Sequence, residues 1–178
     1  MTETRPTVAD IERAIRNVPD FPKAGIQFKD ITPVLRDAQL FSGTIDLLTD
    51  GFQPGSVDAV VGIDARGFIF AAAAALKLRA GFIPVRKKGK LPYETHEQDY
   101  ELEYGTATVA VHVDALEPGS RVLLIDDLLA TGGTSASAVT LIKKVGGDLI
   151  EAIFLIELEF LHGRNKLEAT PVASFLKY

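Results

Sequence analysis

The chain has 178 residues, of which 47% are hydrophobic and 24% charged, so we expect a single domain with an ordinary core instead of a disordered or collagen-like chain. The formal net charge of −5 opposes binding to nucleic acid, and a polyanionic ligand would need a local basic patch. Cysteine is absent, which excludes disulfides, cysteine-bound metals and thiol nucleophiles.

The first fifty residues predict two helices separated by an ordered loop. Thr7 and Asp10 have the spacing of a capping box, and apolar residues at helical spacing follow, so we expect a helix that ends near Pro19. Prolines and a glycine interrupt residues 20–33, which favours an ordered loop there. A second helix is expected over Ala38–Thr49.

From residue 59 onwards, short apolar runs alternate with helix-forming segments. These runs predict buried strands at 59–63, 82–85, 121–125 and 149–158, and a candidate edge strand at 172–176. Helices are expected from 67 to 79 and from about 134 to 145. Because continuous apolar strands alternating with helices are typical of α/β proteins, we predict a central parallel sheet flanked by helices on both faces.

Residues 100–113 depart from this alternation. They alternate polar and apolar side chains on either side of Gly105, which predicts an antiparallel hairpin. The preceding stretch, 87–99, is polar, contains Pro92 and has no periodicity, so we expect a long mobile loop there. Such a loop beside a parallel sheet is a common position for a catalytic lid, and we assign 87–113 to a lid loop and hairpin.

The most informative motif is an acidic pair followed by a loop of small residues. A buried strand ending at Ile125 leads into the pair, and the loop then opens a helix. Backbone N–H groups at a helix N-terminus bind phosphate, while the carboxylates can accept hydrogen bonds from vicinal sugar hydroxyls. The motif therefore predicts a ribose 5-phosphate site made of Asp126, Asp127, Ala130, Thr131, Gly132, Gly133 and Thr134. It lacks the spacing of a Walker A loop or a dinucleotide fingerprint, and its structural alternative is a solvated glycine-rich turn.

Residues 125–134 resemble the phosphoribosyl diphosphate-binding motif of the type I phosphoribosyltransferases. Segments 20–33, 62–68, 85–92, 102–105 and 155–158 lie in the same order and spacing as in the members of that family that use adenine. The resemblance implies a type I phosphoribosyltransferase fold with a small N-terminal hood over 1–35. It implies that adenine and phosphoribosyl diphosphate give AMP and diphosphate, a step of purine salvage. It also implies a homodimer, and Mg²⁺ held through the substrate instead of by protein ligands.

The resemblance assigns roles to residues outside the motif. A cluster of cations between residues 86 and 90, together with a short loop after the 59–63 strand, is expected to bind diphosphate through Ala65, Arg66, Arg86, Lys87 and Lys90. Without the resemblance, each of these would be an ordinary solvated residue.

The base and the chemistry are assigned in the same way. Adenine is expected to contact Gln27, Phe28, Lys29 and Leu158, with the ring of Phe28 stacking on the base. Lys29 stands where many relatives carry arginine, so a bidentate contact is not expected there. Glu103 and Tyr104 are expected to be catalytic, Glu103 by exchanging a proton with the purine and Tyr104 by closing over the substrate. Their structural alternatives are a solvent-facing strand residue and a half-buried aromatic.

Two other functions stay open at this point. Phosphoribosyltransferases for 6-oxopurines usually place an acidic residue where Ala130 stands, so Ala130 favours adenine; orotate enzymes share the alanine but resemble the hood less. A non-catalytic phosphoribosyl diphosphate sensor would need a DNA-binding domain or a basic face, which neither the length nor the charge of −5 provides. Since no secretory signal and no bilayer-length apolar run are visible, we expect a cytoplasmic protein without membrane or nucleic-acid partners.

Overall fold

The computed structural model describes residues 5–101, 105–167 and 169–178, and the chain divides into two compact units, 1–50 and 51–178. The N-terminal unit contains the helices α1 (Val8–Ala14), α2 (Thr32–Arg36) and α3 (Ala38–Leu48) and the strands β1 (Arg16–Pro19) and β2 (Gln27–Asp30). The predicted capping box is present, because the Thr7 side chain accepts a hydrogen bond from the Asp10 N–H while the Asp10 carboxylate accepts one from the Thr7 N–H. The helix predicted over 38–49 is confirmed by α3.

The prediction that the first helix continues almost to Pro19 is wrong. The C-cap residue of α1, Ile15, has extended backbone angles (φ −68°, ψ 125°), and the chain passes directly into β1. β1 pairs antiparallel with β2, with Arg16 opposite Asp30. This pairing also corrects the loop predicted over 20–33, whose second half forms β2 and the start of α2. Local periodicity could not reveal the partner strand, which lies further along the chain.

The C-terminal unit is built on one large sheet. Its strands are β3 (Ala59–Ile63), β4 (Gly81–Lys87), β5 (Thr95–Glu101), β6 (Thr106–His112), β7 (Arg121–Leu129), β8 (Asp148–Glu157) and β9 (Val172–Lys177). They form a seven-stranded sheet in the order β5-β6-β4-β3-β7-β8-β9. The pairs from β4 to β9 are parallel, whereas the β5–β6 hairpin adds antiparallel to β4. The predicted mostly parallel sheet with an antiparallel hairpin and a β9 edge strand is thus confirmed.

Two helices cover the opposite faces of this sheet. Gly62 of β3 faces α4 (Gly67–Leu78), since a Cβ on Gly62 would lie 2.6 Å from the Cβ of Ala71. The neighbouring residues Val61 and Ile63 point the other way. They join a buried cluster that includes Leu141 of α5 (Gly133–Lys144). In the part of the chain that the structure describes, no helix has the length and apolar character needed to span a membrane.

The hairpin begins earlier than predicted, so the long loop expected over 87–99 is wrong in its second half. β5 starts at Thr95 and pairs residue by residue with β6 as far as Glu101 opposite Thr106. Lys88 also donates a hydrogen bond to Glu97 across the two segments at 2.6 Å. As the outermost strand of the sheet, β5 carries polar side chains, which is usual for an edge strand. It therefore lacks the apolar pattern by which a strand is predicted.

Candidate active site

A cavity of about 210 Å³ opens at the carboxyl ends of β3 and β7. This is the edge at which open α/β sheets bind their ligands. The lining comes from the loop after β3, the acidic pair of β7 and the loop into α5: Ile63, Asp64, Ala65, Arg66, Asp126, Asp127, Leu128 and 130–135. The structure therefore brings together all the residues of the predicted ribose 5-phosphate site, along with Ala65 and Arg66. The lining residues that were not predicted are Ile63, Asp64, Leu128 and Ser135.

The acidic pair lies within β7 and not beyond it, which corrects the predicted strand end at residue 125. β7 continues to Leu129 because it pairs with β8, with Asp126 opposite Phe154 and Leu129 opposite Glu157. On the other side, β3 pairs with β7 only as far as Ile125. The two carboxylates therefore stand where one neighbouring strand has ended, and this leaves the space that the cavity occupies.

The pKa values of both carboxyl groups, Asp126 and Asp127, are raised. Asp127 is 4% exposed and lies 2.9 Å from Nη2 of Arg66, but burial outweighs this ion pair and raises the pKa of Asp127. Burial, together with the neighbouring Asp127 charge, raises the pKa of Asp126 well above its usual range. Carboxyl groups whose pKa values are perturbed in a cleft are typical of binding and catalytic sites.

Asp126→Asn is expected to stabilise the free protein near neutral pH. An unfolded aspartate ionises at a pKa of about 3.9, whereas folded Asp126 keeps its proton to higher pH. Between the two pKa values the folded state binds more protons, so the free energy of unfolding falls as pH rises. Asparagine removes this loss, and each kcal/mol recovered raises Tm by about 2–4 °C in a chain of this size.

Thermal unfolding from about pH 4 to about pH 8 tests this expectation. The Tm advantage of Asp126→Asn should grow as pH rises and disappear at the acid end. Asp58→Asn is the control with the opposite sign, because hydrogen bonds from Arg121 lower the pKa of the exposed Asp58 to about 2. That variant should lose stability at neutral pH. A Tm difference for Asp126→Asn that does not change with pH would exclude the proton as its cause.

Gly132 makes the turn from β7 into α5. It is the N-cap of α5 with φ +77°, a conformation that favours glycine. The first N–H groups of a helix have no partner within it and carry the positive end of the helix dipole. Gly133, Thr134 and Ser135, which form the start of α5, line the cavity. The predicted phosphate cradle, residues 130–134, is therefore placed at the cavity with its helix N-terminus beside it.

Two residues that the sequence analysis missed lie in the cavity lining or against it. A Cβ on Gly67 would lie 2.4 Å from Oδ1 of Asp126, so the absence of a side chain there lets the first turn of α4 pack against this carboxyl group. Asp64, joined to Ala65 by a cis peptide bond, accepts a hydrogen bond from Nε of Arg86 at 3.1 Å. Asp64 directly follows the strand predicted over 59–63, at the edge where ligands bind, and that position was a usable signal. Nothing near Gly67 in the sequence indicates its contact with Asp126.

The cationic segment predicted to bind diphosphate lies beside the cavity loop and does not line it. Arg86 is held by Asp64 and also donates from Nη1 to the carbonyl of Lys90 at 3.0 Å. Lys87 is the last residue of β4, and Lys90 follows the turn at residues 88–89, with its N–H donating to the carbonyl of Lys87 at 3.1 Å. None of these three residues belongs to the described lining of the cavity.

The predicted base-binding residues occupy separate parts of the chain. Gln27, Phe28 and Lys29 belong to β2 of the N-terminal unit. The ring of Phe28 meets that of Phe21 edge to face at 5.1 Å. Nζ of Lys29 donates to Oδ1 of Asn17 at 2.8 Å. Leu158 follows β8 directly in the C-terminal unit. The predicted catalytic residues Glu103 and Tyr104 lie outside the described residues.

Comparison with known proteins places this site in a family. The phosphoribosyl transferase domain matches residues 36–175. The adenine phosphoribosyltransferase of Geotalea uraniireducens is 53% identical over 169 residues, which cover 95% of this chain and 99% of that protein. The enzyme of the same name from Acidothermus cellulolyticus is 56% identical over 163 residues, which cover 92% of each chain.

Solved structures agree with these sequence relatives. The adenine phosphoribosyltransferase of Rhodothermus marinus superposes with a TM-score of 0.91 at 50% identity, covering 96% of this chain and 98% of that one. The enzyme of Saccharomyces cerevisiae, crystallised with an imino-altritol bisphosphate and adenine, gives a TM-score of 0.90 at 40% identity, covering 95% and 98%. The chain therefore belongs to the phosphoribosyltransferase family, among its adenine phosphoribosyltransferases.

Proposed function

We propose that the cavity holds the phosphoribosyl group while the chain transfers it from phosphoribosyl diphosphate to adenine, giving AMP and diphosphate in purine salvage. The observation that carries this proposal is the arrangement of the acidic pair and the α5 N-terminus around one cavity. A helix N-terminus binds phosphate, and carboxylates accept hydrogen bonds from hydroxyls. Ribose 5-phosphate carries both of these groups.

In this proposal the 5-phosphate binds the cradle, and the ribose hydroxyls donate to Asp126 and Asp127. Arg66 lies at the rim of the same cavity and is paired with Asp127 at 2.9 Å, so it can exchange that carboxylate for a diphosphate oxygen. Ala65 offers its backbone beside Arg66. Further cations for the diphosphate come from Arg86, Lys87 and Lys90.

The transfer forms a bond between a purine nitrogen and C1 of the ribose. The bond from C1 to the diphosphate oxygen breaks, and the electron pair leaves with diphosphate. The purine nitrogen loses a proton, which we assign to Glu103, and Tyr104 closes over the substrate. Cations near the leaving group stabilise the charge that develops on it.

We assign the base to β2 and to Leu158. The half-buried ring of Phe28 supports stacking on a purine, with Gln27 and Lys29 on either side of it in the strand. Burial lowers the pKa of Lys29, and its ammonium group donates to Asn17 at 2.8 Å. The adenine bound to the Saccharomyces cerevisiae relative supports this choice of base.

We assign Mg²⁺ to the substrate, with no dedicated protein site. Among the described residues, no three histidine, aspartate or glutamate side chains form a cluster suited to a metal. The acidic pair in the cavity fits ribose hydroxyls and a cation that the diphosphate carries. When bound, Mg²⁺ neutralises part of the charge of the leaving diphosphate.

The quaternary state and location complete the proposal. We propose that both units form one phosphoribosyltransferase domain that acts in the cytoplasm as a homodimer. An exposed apolar stripe on α4 supports self-association, because Ile69 is 40% and Leu76 83% exposed, and the two lie at helical spacing on one face. Apolar side chains exposed together in this way are typical of interaction surfaces.

The deciding experiment measures diphosphate release with Mg²⁺ and phosphoribosyl diphosphate, offering adenine, hypoxanthine, guanine, xanthine and orotate separately. Release that depends on adenine alone, with AMP as product, is the expected result. Turnover with another base would leave the ribose 5-phosphate site intact and contradict the assignment of Ala130 and β2 to adenine. Tight phosphoribosyl diphosphate binding without turnover on any base would instead favour the sensor.

A further inference from the structure

A second chain segment lies directly against the phosphate cradle. A Cβ on Gly132 would lie 2.2 Å from the carbonyl oxygen of Gly163. Conversely, a Cβ on Gly163 would lie 2.0 Å from the carbonyl oxygen of Ala130 and 2.8 Å from the backbone nitrogen of Gly132. These separations leave no room for a side chain on either glycine. The backbone of the cradle and the backbone at the buried Gly163 are therefore in direct contact.

The residue after Gly163 is anchored through a polar network. Nε of Arg164 donates to Oε1 of Glu157 at 3.0 Å, and Nη2 of Arg164 donates to Oε2 of the same carboxylate. Nη1 of Arg164 donates to the carbonyl of Val172 at 2.7 Å. Nη2 also donates to Oγ of Ser174 at 3.0 Å, and the Ser174 hydroxyl donates to Glu157. We refer to Glu157, Arg164 and Ser174 as the brace.

The brace connects Gly163 to the same sheet edge that carries the cavity. Glu157 is the last residue of β8 and lies opposite Leu129, the last residue of β7 before the cradle. Ser174 belongs to β9, the next strand of the sheet. Arg164 thus ties the segment behind the cradle to two strands whose register with β7 is fixed.

The chemistry of the brace indicates that it fixes the position of the backbone. Glu157 is 5% exposed, and hydrogen bonds from Arg164 lower the pKa of Glu157, so the pair is ionised. Buried ion pairs are often no more stabilising than apolar side chains of the same volume. The planar fork of an arginine, however, fixes the direction of a bidentate contact. Since no brace residue lines the cavity, its influence on a substrate is indirect.

We propose that Gly163 and the brace are positioning residues for the 5-phosphate, which set the backbone of Ala130–Gly132 so that the N–H groups of the cradle converge on one phosphate. This inference rests on the proposed function, because it assigns the support of that function's phosphate subsite. Displacing a substrate-positioning group by about 1 Å is enough to lower the rate about 10²-fold. Gly163 and Arg164 thereby affect a substrate that they do not touch.

Arg164→Lys tests the brace, because it keeps the charge and removes the fork. We expect the KM for phosphoribosyl diphosphate to rise about tenfold or more, and the KM for adenine to change by less than about twofold. The Kd of ribose 5-phosphate, measured by calorimetry, should rise by the same factor as the KM for phosphoribosyl diphosphate. Gly163→Ala should show the same selectivity with a larger rise.

The chain offers a matched control for each variant. Arg121 makes a similar bidentate contact with Asp58 and donates to the carbonyl of Gly55, but it lies at the opposite end of β7. Arg121→Lys should leave the ribose 5-phosphate affinity unchanged. Gly81→Ala controls for Gly163→Ala, because a Cβ there would be in ordinary contact with the carbonyl oxygen of Asp58 at 3.6 Å.

Several outcomes would overturn the inference. Unchanged ribose 5-phosphate affinity in Arg164→Lys would contradict a positioning role. An equal rise in the KM values for phosphoribosyl diphosphate and adenine, or an equal loss of ribose 5-phosphate affinity in Arg121→Lys, would show that the brace acts only on folding in general. If Arg164→Lys does not fold, Ser174→Ala removes only one partner and should give a smaller rise with the same selectivity; no rise would again overturn it. A wild-type protein that does not bind ribose 5-phosphate would instead refute the proposed function, and this inference with it.

Discussion

Gly132→Ala is expected to lower kcat/KM for phosphoribosyl diphosphate by about 10³-fold, a loss of the size seen when a preorganised anion-binding donor is removed. The added Cβ would lie 2.2 Å from the carbonyl oxygen and 2.9 Å from the carbonyl carbon of Gly163. Both are backbone atoms, so the contact can be relieved only by moving the cradle or the segment behind it. Either movement displaces the N–H groups that we assign to the 5-phosphate.

Gly119→Ala separates this contact from ordinary backbone strain. Gly119 has φ +83° and open space around its Cβ position, whereas Gly132 has φ +77° and a crowded one. Alanine at a positive φ costs on the order of 1 kcal/mol in either place. Steady-state kinetics and ribose 5-phosphate binding should therefore be normal in Gly119→Ala and severely impaired in Gly132→Ala. Equal impairment of the two variants would assign the effect to backbone strain, and the assignment of the 5-phosphate to the cradle would then have no support from this experiment.

The parts of the fold that were predicted correctly are those in which burial produces a local pattern. β3 is buried along its whole length, so its apolar run at 59–63 gives both of its ends. Apolar residues also predicted α3 and α4. The C-cap of α4, Arg79, takes the left-handed conformation with φ 54°. In β3, which is buried on both faces, the apolar run alone predicts the strand and both of its ends.

The errors occur where a partner decides the structure. Ile15 and Val18 are compatible with a helix, but β1 forms because Arg16–Pro19 finds a partner in Gln27–Asp30. β5 has few apolar residues to reveal it, and its pairing with β6 defines it. β7 extends past residue 125 only because β8 continues beside it. The sequence pattern of a single segment does not show which distant segment it will pair with.

The same distinction applies to the site. The residues from Asp126 to Thr134 are contiguous in sequence, and the structure places them around one cavity. Gly67 and Gly163 lie against lining residues of that cavity from other parts of the chain, since a Cβ on Gly67 would lie 2.4 Å from Oδ1 of Asp126 and a Cβ on Gly163 would lie 2.0 Å from the carbonyl oxygen of Ala130. A glycine chosen for close approach to a distant segment carries no local signal. The sequence likewise did not predict a role for Arg164, since its partners lie on β8 and β9.

Glu103→Gln is expected to lower turnover by about 10²- to 10⁴-fold, the usual range for a general acid–base residue, while the Kd of AMP changes by only a few-fold. Glutamine keeps the size and the carbonyl acceptor of glutamate but cannot accept the proton of the purine. Glu103 itself lies outside the described residues, and the last described residue before it is Glu101. Glu101 pairs with Thr106, and a Cβ on Gly133 would lie 3.5 Å from the Glu101 carbonyl oxygen, so β5 ends beside the first turn of α5.

Single-turnover rates and AMP titration calorimetry on the same preparations measure the two quantities separately. Glu101→Gln is the matched control, because this exposed glutamate is the last residue of β5 and is not assigned to the reaction; its turnover and AMP affinity should stay normal. A proton-transfer role also predicts that Glu103→Gln loses the acidic limb of the pH–rate profile. If AMP affinity falls as far as turnover, Glu103 binds the nucleotide and the base of the reaction lies elsewhere. If turnover persists, the lid acts by excluding water, and the proton leaves the purine without help from this carboxylate.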